Sequence, residues 1–289
     1  MMIAFAQALA NGISDGALLA MVALGITLVF GVARFPNVAH GEFLTLGAYG
    51  AYWCSSLLGW PLLAAVGGGI VLAIAAGLAS YALVFRTVSQ RPVTALLASI
   101  GLSILLRGAI TFIAGSQQVS YDIPLWGAWD LAGLTLLPLD VLVTIASFVV
   151  ILMVHLVLAK TPIGTRMRAV ADNVELARTS GIDPQRINLA TWSIALAVAA
   201  LAGMFVAART AISPDLGWNL LLPAFAAAVL GGLGSPYGAI LAGLIIGLAQ
   251  NIATLWISET YKVSFSFLIL IAVLLIRPSG ITGRKEMAR

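Results

Sequence analysis

Charge is scarce in this sequence, and cysteine and histidine are scarcer still. Only 9% of the 289 residues are charged, against about 25% in soluble domains, so the chain cannot clothe a water-facing surface. Cys54 is its one cysteine, which excludes an internal disulfide and a thiolate metal site. His40 and His155 are too few and too far apart to suggest zinc. No Gly-x-x-x-x-Gly-Lys-Ser/Thr run occurs, so no phosphate-cradling loop is evident. A nucleophile elbow, a metal cluster and a redox motif are missing too. The net charge of +4 does not argue for nucleic acid, because the basic residues sit at the edges of apolar runs and not in patches interleaved with aromatics.

Apolar residues fill the space that charge leaves: 61% of the chain is hydrophobic and its mean hydropathy is +1.05. Lipid is the solvent that fits this composition, and in lipid only helices and closed barrels satisfy their own backbone. A barrel would show short alternating strands. The chain shows long unbroken runs rich in Ala, Leu and Gly, which predicts an all-α, polytopic transmembrane helical bundle. A crossing takes about 20 apolar residues. Candidate spans are Ala8–Gly31, Phe43–Leu58, Leu62–Phe85, Val93–Gly115, Leu139–Leu158, Leu189–Ala208, Leu220–Leu230, Tyr237–Trp256 and Val263–Ile276. They amount to about eight or nine crossings. The first run lacks a basic leader and a small-residue cleavage pattern, so it reads as a retained span.

Lys and Arg in short loops orient such a bundle. Nine crossings with the C-terminus inside put Arg34, Arg86, Arg91, Lys160, Arg166, Arg168, Arg178, Arg186, Arg277, Arg284, Lys285 and Arg289 on the cytoplasmic side. Arg107 is left within a span, and Arg209 and Lys262 on the far side. The N-terminus is therefore expected outside. The outer segment Ser116–Pro138 carries Asp122, Asp130, Trp126 and Trp129 and no basic residue. It reads either as a gate or docking surface, or as an interfacial turn anchored by its tryptophans.

The longest basic loop, about residues 159–188, contains GTRMRAVADNVELARTSGI, Gly164–Ile182. Met167, Val170, Ala171, Val174 and Ala177 recur at helical spacing as one apolar stripe, with Arg168, Asp172 and Glu175 opposite. Thr165 reads as an N-cap, Gly181 as a C-terminal stop, and Pro184 bars continuation. An amphipathic helix here either lies at the headgroups as a connector or inserts its stripe into a groove on a cytoplasmic partner.

The residue pattern of this loop resembles the branched-chain amino-acid ABC transporter permease family. Its coupling segment reads Gly-x-x-x-Arg-Ala…Asn…Ala…Gly-Ile, which Gly164, Arg168, Ala169, Asn173, Ala177, Gly181 and Ile182 match. Near the start, Asn11-Gly12, Ala23-Leu24-Gly25 and Phe30-Gly31 lead into Asn37-Val38-Ala39-His40-Gly41-Glu42, similar to the family's Asn-Phe-Ala-His-Gly-Glu, with Val38 in place of Phe. Ser99–Ser103 and Gly231–Gly247 also look like family segments. The resemblance implies one transmembrane permease domain over residues 1–289, in the bacterial cytoplasmic (inner) membrane. It implies a second homologous permease, two ATPase subunits that bind the ATP, and an extracytoplasmic substrate-binding protein. No cofactor is expected in this chain, and Gly164, Arg168, Ala169, Asn173, Ala177 and Gly181 would couple it to the ATPase. The family also includes permeases for urea, amides and other small polar solutes.

Other polar positions keep two readings. His40 and Glu42 form an inner gate, touch the ATPase or sense pH; otherwise they cap the second span, where an acid suits the helix dipole. Arg107 costs about 2.5–3.5 kcal/mol at mid-bilayer, so it snorkels or faces the bundle interior, as an element of the substrate path or packed against carbonyls. Arg209 and Asp215 straddle an outer loop and are placed to pair. Gly231–Pro236 breaks two short apolar segments; with Gly231 and Gly234 it lines a pathway, or Gly238, Ala242, Gly243 and Gly247 simply permit close helix contact. Leu24–Tyr52 and Leu220–Gln250 share a span–break–span layout that admits an internal repeat.

Two other function classes are weaker. A self-sufficient secondary transporter or channel calls for paired acids or ion ligands within spans, and nearly all acids here read as lying at ends or in loops. A membrane-embedded enzyme calls for catalytic residues clustered near one interface. The sequence therefore reads as a transport subunit without its own ATPase site.

Overall fold

Seven helices among the described residues are long and apolar enough to cross a bilayer. The computed structural model describes residues 1–88, 91–124, 126–131, 133–276 and 280–282, so Arg277, Arg284, Lys285 and Arg289 lie outside the described residues. The chain runs through α1 (Met2–Ala33), α2 (His40–Ser56) and α3 (Leu62–Ser80), which continues by a π turn at Tyr81–Phe85 into the short α4 (Arg86–Val88). After α5 (Pro92–Ala114) comes an antiparallel hairpin, β1 (Trp129–Leu131) with β2 (Leu134–Leu136), paired Trp129 to Leu136. There follow α6 (Pro138–Lys160), α7 (Pro162–Asp172), α8 (Val174–Thr179), α9 (Pro184–Arg209), α10 (Leu216–Gly231), α11 (Pro236–Ala253) and α12 (Lys262–Ile276). The two shorter membrane-level helices, α2 and α10, have 17 and 16 residues. The hairpin is a small departure from an all-helical reading.

Proline sets most of the helix starts. Pro92, Pro138, Pro162, Pro184 and Pro236 each occupy the first turn of their helix, where a missing N–H costs nothing. Small residues set the packing. Between lipid-bathed helices there is no hydrophobic drive, so close backbone approach takes its place. Along α1 and α11, a methyl group on Gly12 would lie 2.9 Å from Leu248 Cα, and one on Gly243 2.5 Å from Ala20 Cα. The central helix α2 is gripped in the same way on three sides. A methyl on Gly47 would meet Ala200 of α9 at 2.5 Å, on Gly50 the Gly69 Cα of α3 at 2.9 Å, and on Gly41 the Gly217 carbonyl of α10 at 2.8 Å. Residues 40–51 are accordingly buried, apart from a half-buried Leu46.

The helices α5 and α12 are peripheral. Phe112 on α5 is 91% exposed and Leu275 on α12 is 82% exposed, which suits a lipid-facing surface. The described basic residues Arg34, Arg86, Arg91, Lys160, Arg166, Arg168, Arg178 and Arg186 gather at one end of the bundle. The hairpin lies at the other end, held to α1 by Gln7, whose Nε2 donates to the Thr135 carbonyl at 3.0 Å while its Oε1 accepts from the Thr135 N–H at 3.1 Å. The rest of that outer segment folds back as well. Val119 bridges Ile212, and Tyr121 donates its hydroxyl to the Ala48 carbonyl at 2.8 Å, burial holding the phenol above its ordinary pKa. Trp126 and Trp129 stay about half exposed.

Candidate functional site

At the basic end, α1 stops where Arg34 adopts a left-handed backbone with φ 58°. Pro36 disfavours helix at Phe35, and the chain turns back into the bundle. A methyl on Gly25 would lie 2.7 Å from Nε2 of His40, and Gly25 is about 12 Å up α1 from Ala33 at 1.5 Å per residue. The second span thus begins well inside the protein, as a re-entrant break. Non-helical backbone at that depth must be shielded by protein, and Phe35, Asn37 and Ala39 are buried. Asn37 Oδ1 accepts from the Ala39 N–H at 3.1 Å, and Ser99 Oγ on α5 accepts from the Val38 N–H at 3.1 Å. The first half of the Asn37–Glu42 motif is therefore backbone satisfaction.

Its last residue makes an intramembrane ion pair. Glu42 is fully buried, and its Oε1 accepts from Ser103 Oγ at 2.8 Å and from Arg107 Nη2 at 2.7 Å. Arg107 also lies 3.7 Å from Asp215 and 4.3 Å over the Trp218 ring. Glu42 stands in the first turn of α2, where an acid suits the helix dipole, but it makes no capping hydrogen bond: its carboxylate turns across to α5, where an arginine in lipid needs a counter-charge. The expected Arg209–Asp215 pair is corrected, since Asp215 faces Arg107. His40 stands apart from this cluster. Its ring is 1% exposed and neither ring nitrogen has a partner among the described residues.

The segment Gly164–Ile182 differs from one continuous helix. It is α7 and α8, broken at Asn173, which is extended (φ −153°, ψ 110°) and caps α8 by accepting from the Glu175 and Leu176 N–H groups at 3.0 Å each. The N-cap of α7 is Thr161 and not Thr165. Gly164, Met167, Val170 and Ala177 are buried against the chain's own helices and Ala171 is half-buried, so most of the apolar stripe is taken by the bundle, while Val174 stays 38% exposed. Gly164 approaches the Leu158 carbonyl too closely for a side chain, and Arg168 donates to that carbonyl and to Thr165 Oγ1. Ala169 is half-buried. Gly181 ends α8 with φ +79°. Each of these motif residues shapes the segment; the side turned outward presents Arg166, Glu175, Leu176 and Arg178, with Leu176 65% exposed. Arg34 donates to the Ala171 carbonyl and so ties the end of α1 to α7.

The Gly231–Pro236 break is a tight hairpin between α10 and α11. A side chain on Gly231 would strike Gly238, Gly232 and Gly234 have φ +97° and +89°, and Ser235 Oγ accepts from the Gly238 N–H at 3.2 Å. The free end carbonyls of α10 are used by later chain: Ile281 N–H donates to Leu230 at 2.8 Å and Thr282 Oγ1 to Gly231 at 2.6 Å. Close helix contact accounts for Gly231.

At the opposite end lies a cluster that sequence reasoning missed. Arg209 donates from Nη1 to Asp15 at 2.9 Å and from Nε to Asp140 at 2.7 Å. Lys262 donates to the other oxygen of Asp15 at 2.6 Å and to Asn251 Oδ1 at 3.0 Å. The available signal was Asp15 itself, an acid within the first apolar run. Among the described residues no group of His, Cys, Asp and Glu could hold a metal ion.

Residues 8–274 match the family described as branched-chain amino acid transport system / permease component. The chain is similar to LivH, the high-affinity branched-chain amino acid transport system permease protein of Escherichia coli K12, at 33% identity over 99% of this chain and 97% of that one. It is similar to BraD of Pseudomonas aeruginosa, a permease protein of the same description, at 31% over 99% and 98%. A solved ABC transporter described as of the metal-chelate type, in an inward-facing conformation, shares the fold with a TM-score of 0.53, 16% identity and coverage of 93% of this chain and 87% of that one.

Proposed function

The chain belongs to the branched-chain amino acid transport permease family, and from that membership we propose that it is the membrane-spanning permease subunit of an ATP-driven ABC importer for branched-chain or related amino acids. Full-length likeness to LivH carries the reading, because identity that runs over 99% of the chain spans every helix and not one motif. In this reading a second, homologous permease completes the pathway. Two ATPase subunits bind and hydrolyse ATP, an extracytoplasmic binding protein delivers the solute, and the assembly sits in the bacterial cytoplasmic membrane.

The geometry supports a route for the power stroke. The outward side of α7 and α8, with Leu176 and its flanking charges, is the surface offered to an ATPase. Movement of α7 reaches α1 through the Arg34–Ala171 hydrogen bond. From α1 it reaches α2 through the contact of Gly25 with His40. Gly164, Arg168, Ala169, Asn173, Ala177 and Gly181 act in coupling by holding the shape of this surface.

Purification from native membranes, followed by reconstitution in liposomes, tests the proposal. A nucleotide-binding subunit is expected to co-purify, and L-leucine uptake is expected to require ATP and that subunit. Solute uptake by the lone chain, with no ATPase associated, would overturn it.

A further inference from the structure

A cavity of about 320 Å³ opens beside the cluster of Asp15, Asp140, Arg209 and Lys262, and all four side chains line it. The rest of its wall is largely aliphatic, with Leu18, Leu19, Val206, Leu220 and Pro223. The charged groups come from α1, α6, α9 and α12, so no single helix end creates the site. Their side chains are 17–28% exposed, which leaves them within reach of a small solute.

The charges sum to zero, and that balance constrains what enters. Ion pairs withdrawn from water give little net stability over apolar packing, so their presence points to use. Bonding capacity is also left over. Nη2 of Arg209, one Lys262 proton and the second oxygen of Asp140 have no partner among the described residues. An anion alone or a cation alone would leave an uncompensated charge in a low-dielectric wall. A molecule carrying both an ammonium and a carboxylate keeps the sum at zero and matches both signs. An aliphatic side chain on that molecule would meet the leucine and valine wall, in a volume within the range of small-ligand pockets, about 300–1,000 Å³.

We propose that the cavity between Asp15, Asp140, Arg209 and Lys262 is a binding site for the zwitterionic head of an aliphatic α-amino acid, its carboxylate on Arg209 and Lys262 and its ammonium on Asp140. This rests on the transport reading above and names where this chain holds its solute. The site lies at the hairpin end of the bundle, opposite α7 and α8, where an incoming solute is met first.

The test uses the complete complex, permeases with ATPase subunits, in lipid nanodiscs without the binding protein. Bound tritiated L-leucine is displaced with unlabelled L-leucine, 4-methylpentanoate (carboxylate only) and 3-methylbutylamine (ammonium only). Each single-charge analogue is expected to compete at least about tenfold more weakly than L-leucine. Asp140→Asn and the charge-conserving Arg209→Lys are each expected to weaken L-leucine binding by about tenfold in complexes that remain folded and still co-purify with the ATPase. Equal displacement by a single-charge analogue, or wild-type binding in both variants that remain folded, overturns the site even if ATP-driven uptake is intact. Zwitterion-selective binding without any ATP-driven uptake would uphold the site and overturn the transport reading instead.

Discussion

Glu42 and Arg107, 65 residues apart in sequence, meet at 2.7 Å inside the bundle, with Glu42 fully buried and Arg107 23% exposed. The pair, together with the hydrogen bond from Ser103 to Glu42 and that from Val38 to Ser99, fastens α5 to the rest of the protein. The face of α5 so fastened runs along Ala95, Ser99, Ser103 and Ile110, all buried.

Removing Glu42 takes the buried counter-charge from Arg107 and leaves it only the more distant, exposed Asp215. Glu42→Ala is expected to cost about 3 kcal/mol, the usual penalty for breaking a buried pair, and to lower the melting temperature measured by fluorescence-detected size exclusion. Glu42→Ala with Arg107→Met is expected to recover most of that loss. A double variant no more stable than the single one would show that the pair is not the fastening.

Gly25 leaves just enough room for the His40 ring. Gly25→Ala places a methyl 2.7 Å from Nε2 and is expected to cost about 1–3 kcal/mol through overpacking. His40→Ala in the same chain is expected to offset much of this, and a double-mutant cycle of melting temperatures measures the coupling.

Leu176 and Ala177 are neighbours with opposite environments, 65% and 3% exposed. Leu176→Asp is expected to weaken ATPase co-purification by about tenfold while leaving the melting temperature unchanged. Ala177→Asp buries an unpaired acid and is expected to destabilise the chain by several kcal/mol. The contrast separates docking from folding.

Arg34 has two jobs at one position, a left-handed helix stop and a donor to Ala171. Arg34→Gly suits the backbone and removes the donor. Normal insertion and ATPase binding are expected, with the number of leucines carried per ATP hydrolysed reduced several-fold. An unchanged ratio would remove Arg34 from the power stroke.

The helices were legible because lipid enforces long apolar runs, while their first turns, where five prolines sit, were read short by one to five residues or not at all. The depth of the Arg34–Glu42 break was legible only in part: Pro36 announced a turn, but that His40 climbs back to Gly25 depends on contacts across the fold. Charge pairing was the least legible. Asp15 finds Arg209 and Lys262 at separations of 194 and 247 residues, and no local pattern links them. Asn173 shows a subtler limit. Periodicity alone treats an asparagine in mid-helix and one that caps the next helix alike, so the apolar stripe passed through it unbroken and α7 and α8 read as one.

The seclusion of α2 has a consequence for how this protein answers its bilayer. Seventeen residues long and screened by α3, α9 and α10, it has almost no lipid contact to set its depth. A change in membrane thickness tilts or strains the helices that lipid touches, here α5 and α12 above all. It reaches α2 through α3, whose Leu63 is 88% exposed and whose Gly69 backs onto Gly50, and through α5, held by the carboxylate of Glu42. Membrane composition therefore acts on the core of this permease through a close backbone contact on one side and an ion pair on the other.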